Sequence, residues 1–456
     1  MSCVALLLAL PALATRAGDR HPNILFILSD DQRYDTVHAL GNPDIKTPTL
    51  DKLVGRGFVF TNPYCQGAMM SAVCVPSRTM IFTGKSLFRI PDYRIKKQDY
   101  GGALLATPFN SAGYDTLHVG KKSTSFVAGD ESFTKVIFSS LAPEDRAAAS
   151  QFHADAAIDF IREHRGPGAR PFFIYLAPCV PHDPRVAPKE FMELYDPAAI
   201  PLPKSFMPTH PFDNGNIHGR DEDLAPHPRT PGAMKRHIAD YYACITNLDY
   251  HVGRILNALA ETGHGDDTII LFCSDHGLSV GGRHGLMGKQ NLYEDEKVPL
   301  IFAGPGVPHG RSEALVYLFD LFPTLCDLAG VAVPAGTEGQ SLVPVMRGER
   351  PGIRDTIFTA YKACQRAVRD RRWKLIKYNA GGQKHTQLFD LAADPDEVNN
   401  LAADPKYAAE LSRVEGLLAR ARKDFGDNAD FDGSGMLPED LNPPPAKRKK
   451  SKGSSQ

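Results

Sequence analysis

Within the first fifth of the 456-residue chain, Cys74-Val75-Pro76-Ser77-Arg78 sets a thiol, a hydroxyl and a guanidinium within five positions, followed by Thr79-Met80-Ile81-Phe82-Thr83-Gly84. Proline is tolerated in a first helical turn, where its missing N–H costs nothing, so the stretch predicts a short helix through Phe82 with Cys74 at its positive end. An anion belongs at such an end. Taken alone, the five residues are better read as an inert buried cysteine ahead of an ordinary proline-initiated helix. Two other segments add chemistry. His21-Pro22-Asn23-Ile24-Leu25-Phe26-Ile27-Leu28-Ser29-Asp30-Asp31 is an apolar run ending in adjacent carboxylates, and Thr268-Ile269-Ile270-Leu271-Phe272-Cys273-Ser274-Asp275-His276 ends in an acid and an imidazole. Continuous apolar runs of this kind are the pattern of buried parallel strands, which here deliver their acids to one rim.

In an open doubly wound sheet, ligands bind just beyond the carboxyl ends of the strands. Asp30, Asp31 and Asp275 gathered there repel one another unless a cation offsets them, and their hard oxygens suit Ca²⁺ or Mg²⁺. Other strand ends bring further groups. The run 172–177 leads into Pro181-His182-Asp183-Pro184, and 114–119 leads into Gly120-Lys121-Lys122. A loop from His284 to Glu294 contains Lys289 and precedes another apolar strand at 298–303.

On these motifs the chain resembles the type I sulfatases of the alkaline phosphatase superfamily, from about Pro22 to about Leu401. The Cys-x-Pro-Ser-Arg order is similar to the signal by which that family has a cysteine oxidised to Cα-formylglycine. An aldehyde hydrate suits a sulfate ester because one hydroxyl attacks sulfur while the other later collapses to the aldehyde and ejects sulfate. The resemblance implies a metal, usually Ca²⁺ rather than Mg²⁺, held by Asp30, Asp31, Asp275, His276 and residue 74; the position of His276 is Asn in many relatives. It implies that Arg78 holds the hydrate, that Lys121 and Lys289 hold sulfate oxygens, and that His182 protonates the leaving alcohol or binds the bridging oxygen. Fixed positive donors of this kind act where negative charge builds up. One motif departs from the family. Where many relatives continue Gly-Lys into Trp-His, this chain has Gly120-Lys121-Lys122-Ser123-Thr124, so the base for the second hydroxyl stays unassigned, with His118 and His284 able to replace it only if the fold turns them inward.

The elements that must position these groups predict an α/β fold, a doubly wound, mostly parallel sheet sandwiched by helices, over residues 20–345. The clearest helix spans 234–262, where Ile238, Tyr241, Ile245, Leu248, Val252, Ile255 and Leu259 form a core-packing stripe and Gly263 ends it. Residues 184–231, dense in Pro, His and Asp, form a long irregular insertion over the site. A C-terminal subdomain at 346–436 follows, with a hairpin joining 365–368 to 373–378, a strand at 387–391 and a helix after Asp404-Pro405; the resemblance makes it the family's small antiparallel sheet. The basic run Ala446-Lys447-Arg448-Lys449-Lys450 lies in a disordered tail at 437–456. Residues 1–17 are apolar and end in small residues, as in a secretory signal, without a basic start. The remaining cysteines show no disulfide framework and no Cys-x-x-Cys pair.

With 42% hydrophobic and 23% charged residues the chain can bury a large core, and its net charge of −1 argues against nucleic acid as a partner. No membrane span is expected. The expectation is a secreted or periplasmic sulfuric ester hydrolase that acts on a sulfated carbohydrate after a formylglycine-generating or anaerobic maturation enzyme has converted Cys74. The run from Pro181 to Phe191 is similar to segments of iduronate-sulfatase-like and other glycan sulfatases. The alternatives are a phosphonate monoester or phosphodiester hydrolase of the same superfamily, and a catalytically silent glycan-binding protein with unmodified Cys74.

Overall fold

The computed structural model describes residues 21–90, 102–121, 126–141, 143–166 and 168–435. The expected leader, the basic tail and Lys122, Ser123 and Thr124 lie outside the described residues. In chain order the strands are β1 (Asn23–Ser29), β2 (Phe58–Tyr64), β3 (Gly67–Ala68), β4 (Asp115–Lys121), β5 (Lys135–Ser139), β6 (Phe172–Ala177), β7 (Thr268–Ser274), β8 (Leu300–Ala303), β9 (Gly310–Tyr317), β10 (Ile357–Tyr361), β11 (Gln365–Arg369), β12 (Trp373–Ala380) and β13 (Gln383–Asp390). Eight of them form a sheet in the order β5-β4-β6-β1-β7-β8-β2-β9, in which β8 alone runs against its neighbours. A second, five-stranded sheet in the order β13-β12-β11-β10-β3 is antiparallel except at β3, which the first part of the chain contributes.

The large sheet is covered on both faces because its central strands are apolar on both. Leu25, Ile27, Ile174, Leu176, Ile270 and Phe272 pack against Ala154, Ile158 and Ile161 of the Ala149–Glu163 helix and Leu248, Val252, Ile255 and Leu259 of the Pro231–Glu261 helix. The opposite face, Ile24, Phe26, Leu28, Phe173, Tyr175, Ile269 and Leu271, meets Met80, Ile81 and Phe82 of the Cys74–Thr83 helix and Leu321, Phe322 and Leu325 of the Leu321–Ala329 helix. That second core continues without a break into Val368, Leu375, Ile376 and Phe389 of the small sheet and Val414 and Leu418 of the Ala408–Phe425 helix.

Strand register decides what meets at the rim. The parallel β1–β7 ladder sets Ser29 opposite Ser274, so Asp30 and Asp275 leave the sheet side by side. A further bridge pairs Asp30 with Pro181 beyond β6, which brings His182 to the same edge. Residues 184–230 are irregular apart from two short helical pieces, Lys189–Met192 and Glu222–Leu224, and residue 231 already begins the long helix.

Candidate active site at the ends of the central strands

The helix that starts at Cys74 is buried on nearly every face and ends at Gly84 in a left-handed conformation (φ 62°). Ser77 donates from its hydroxyl to the Asp275 carbonyl at 2.5 Å, and Arg78 donates from Nε to Asp275 Oδ2 at 3.1 Å with Nη2 3.5 Å from Asp30 Oδ2. These contacts bind the helix to the ends of β1 and β7. Gly277 has to be glycine, because a Cβ there would lie 1.8 Å from the Asp295 carbonyl.

Cys74 Sγ lies 3.2 Å from His276 Nε2, 3.2 Å from Lys289 Nζ and 3.8 Å from Asp31 Oδ1. Lys289 Nζ in turn donates to both Asp31 oxygens at 3.1 Å. His276 donates from Nδ1 to the Gly277 carbonyl at 2.8 Å, so its Nε2 faces Asp31 Oδ1 at 2.9 Å either as the N–H of an imidazolium or across a shared cation. Asp30 is fully buried, yet neither of its carboxylate oxygens accepts a hydrogen bond among the described residues. Ligand atoms of Asp30, Cys74, Asp275 and His276 lie within 4.8 Å of one another, as do those of Asp30, Asp31, Cys74 and His182. That is the donor set of a hard-cation site.

Electrostatics follow from the crowding. Burial raises the Asp30 and Asp31 carboxyls, but the charges of His182 and Arg78 at Asp30, and of Lys289 and His182 at Asp31, outweigh it and hold both below the ordinary value. Asp275 ends above its ordinary value because burial, with Asp30 beside it, prevails over His276 and Arg78. Burial pushes the pKa values of His276 and Lys289 down, yet Asp275 and Asp31 at the ring, and Asp31 at the amine, hold both well above their ordinary values.

The structure thus gathers Asp30, Asp31, Cys74, Arg78, His182, Asp275, His276 and Lys289. Lys121 ends β4, beyond β6 from β1, where its charge reaches the Cys179 thiol alongside those of Asp30 and Arg146. The fold turns neither substitute histidine towards Cys74. His118 is caged by Phe133, Phe138 and Tyr175 with Nδ1 3.0 Å from Asp130, and His284 stacks on Tyr293 at 3.7 Å.

Several neighbours come from the irregular insertion, which has no periodicity to expose them in the sequence. Asp221 accepts from Gln290 at 2.7 Å and lies 3.9 Å from Lys289 Nζ, while Glu222 accepts the backbone N–H groups of Met287 and Gly288 and so fixes the loop before Lys289. Arg220 clasps Asp183 through two 2.9 Å bonds.

The sulfatase family profile matches residues 22–331, which is more than half of the chain and spans every group in this cluster. The chain belongs to the sulfatase family. A second profile, the C-terminal region of N-sulphoglucosamine sulphohydrolase, matches residues 282–424 of this sulfatase. It is 31% identical to a choline-sulfatase of Rhizobium meliloti over 84% of this chain and 83% of that one. Among solved structures it is similar to a 2-O GAG sulfatase (26% identity, TM-score 0.72, 90% of this chain and 93% of that one). A phosphonate monoester hydrolase from Silicibacter pomeroyi shares the fold at 24% identity (TM-score 0.73, 90% and 96% of the two chains).

Proposed function

We propose that this sulfatase hydrolyses a sulfate ester of a carbohydrate through formylglycine at position 74 with a divalent metal, Ca²⁺ by preference. The carrying observation is the position of Cys74 Sγ, buried at a helix start and 3.2 Å from both Lys289 Nζ and His276 Nε2. Sγ stands in for an oxygen of the modified residue. As a thiol the group has no use there: burial pushes it up to about 12, so the thiolate is scarce at neutral pH in spite of Lys289. An aldehyde hydrate offers two hydroxyls in place of one thiol: one would give up its proton as its oxygen attacks sulfur, and the other would give up its proton as the carbon returns to the aldehyde and the sulfate leaves.

The residues present fit the metal. A buried carboxylate without hydrogen bonds is costly unless a cation satisfies it, and Asp30 is such a group. Asp30, Asp31, Asp275, His276 and the oxygen at residue 74 would hold the ion, which when bound offsets the carboxylates and polarises sulfate oxygens. The chain's own cations do the rest. Arg78 fixes the carboxylates and the helix start, Lys289 and Lys121 offer positive charge to the sulfate oxygens, and His182 gives a proton to the leaving alcohol from Nε2. The carbohydrate assignment rests on the likeness to the 2-O GAG sulfatase and to the N-sulphoglucosamine sulphohydrolase C-terminal profile.

A maturation enzyme in the host would supply the oxidation of Cys74, and the leader-like first residues point to secretion or the periplasm. Among the described residues no helix is long and apolar enough to cross a membrane. The test is the mass of the peptide containing residue 74 from native material, together with turnover of Cys74→Ala. Formylglycine in the parent and loss of at least about 1,000-fold in kcat for a folded variant are expected. An unmodified thiol would leave a silent glycan-binding protein, and faster hydrolysis of an aryl phosphonate monoester than of an aryl sulfate would favour the phosphonate hydrolase reading.

A further inference from the structure

Asp31 is a non-glycine residue in the left-handed region (φ 71°), fully buried and followed by a turn that leaves the sheet. Few non-glycine residues adopt that conformation, aspartate among the readier ones, and here its neighbours hold it. Three contacts do so. Asp31 N donates to Asp275 Oδ1 at 3.1 Å, Gln32 N donates to Ser274 Oγ at 2.8 Å, and the hydroxyl of Tyr241 spans the turn, donating to the Asp31 carbonyl at 2.6 Å while accepting from Arg33 N at 2.9 Å.

Tyr241 belongs to the apolar stripe of the Pro231–Glu261 helix, and its ring is wholly buried, with the guanidinium groups of Arg33 and Arg185 each 5.7 Å from the ring centroid. Arg33 carries the connection across the rim, donating from Nη1 to the carbonyls of Leu278 and Val280 beyond His276. The hydroxyl therefore ties the end of β1 to the longest helix among the described residues, and the Arg33 guanidinium extends the tie to the segment after His276.

We infer that Tyr241 is a positioning residue: its hydroxyl fixes the left-handed Asp31 turn so that the Asp31 carboxylate faces the cation. This rests on the metal reading above. Removing a group that orients a metal ligand costs about 10–100-fold in metal affinity, so Tyr241→Phe lowers Ca²⁺ affinity by at least about 10-fold in chelator-stripped protein, measured by calorimetric titration with CaCl₂.

A purely structural role would behave otherwise. Tyr317 supplies the control, because its hydroxyl makes the same kind of bridge far from the site, donating to the Phe358 carbonyl at 3.0 Å and accepting from Phe358 N at 2.6 Å. Tyr317→Phe lowers the apo melting temperature and leaves the Ca²⁺ dissociation constant unchanged. Ser274→Ala loosens the same turn under Gln32 and provides a second variant should Tyr241→Phe be insoluble. Affinity equal to the parent in Tyr241→Phe, or in Ser274→Ala if that is the variant obtained, overturns the inference alone, as does an equal loss in Tyr317→Phe. A parent that binds no divalent ion overturns the metal reading and this inference with it.

Discussion

His182 shows how far single side chains specify the chemistry. Its Nδ1 donates to the Asp183 carbonyl at 2.7 Å, so Nε2 is the nitrogen left to exchange a proton with a leaving oxygen. Protonation matters most when the alcohol is a sugar hydroxyl of high pKa and least when a phenolate leaves unaided. His182→Ala is therefore expected to lose about 100-fold or more in kcat on a sulfated sugar and less than about 10-fold on nitrophenyl sulfate. Equal fractional losses, with chemistry rate-limiting, would reduce His182 to a sulfate ligand. At this scale the sequence was informative wherever a reactive residue followed an apolar run, as with Asp30, Asp31, Asp275 and His276. It was silent on Asp221, which faces Lys289 and Gln290, and on Glu222, which fixes the loop before Lys289, because both sit in a segment without periodic pattern. It also could not say that His118 faces an aromatic cage instead of Cys74, because strand alternation fixes a face of the sheet and not what stands over that face.

Between elements, the least expected feature is the acidic joint where the large sheet meets the small one. Glu294 and Glu296 end a loop of the first part, and Lys374 of β12 reaches Glu294 at 3.2 Å, Glu397 at 3.3 Å and Glu296 at 3.8 Å. Arg369 of β11 adds a 3.0 Å pair to Glu294. One lysine shared among the half-buried Glu294 and the buried Glu296 and Glu397 leaves the last two under-compensated: burial, against the pull of Lys374, raises Glu296 to about 8 and Glu397 to about 7. The native state thus keeps protons that the unfolded chain releases above about 4.5, so stability from these groups is complete below that pH and is lost as pH rises through 7 to 8. Glu296→Gln mimics the protonated acid. Thermal scans should show parent and variant melting together at pH 5 and the variant about 2–5 °C higher at pH 8.5; a lower variant at alkaline pH would refute the assignment. The joint was not legible in the sequence, since Glu294 and Glu296 stand far along the chain from Arg369, Lys374 and Glu397 and only the packing of the two sheets brings them together. Edge strands β5 and β9 escaped because neither is buried along its length, Lys135 and Val136 being exposed in the one and Arg311 and Glu313 in the other, whereas β1, β6 and β7 declared themselves by burial on both faces.

At the scale of the whole molecule the question is whether the boundary near residue 346 separates two folding units. The chain order suggests that it does, because the eight-stranded sheet is complete by β9 and four of the five strands of the small sheet follow. Packing argues the reverse. A single apolar cluster runs from Phe26 and Tyr175 through Tyr317 and Phe319 to Phe358, Leu375 and Val414, and β3 is paired only because β10 lies beside it. Ending the chain at 346 would strip that cluster of its far side and remove Lys374 and Arg369 from Glu294 and Glu296, and unpairing a buried charge alone costs about 3–5 kcal/mol. Such a loss is comparable to the ~5–15 kcal/mol by which a domain is stable at all. The expectation is one cooperative calorimetric transition for the full chain and an insoluble or non-cooperative product for the chain truncated after Met346. A soluble truncated protein with its own sharp transition would show that the large sheet folds alone and that the second sheet does not hold the fold together.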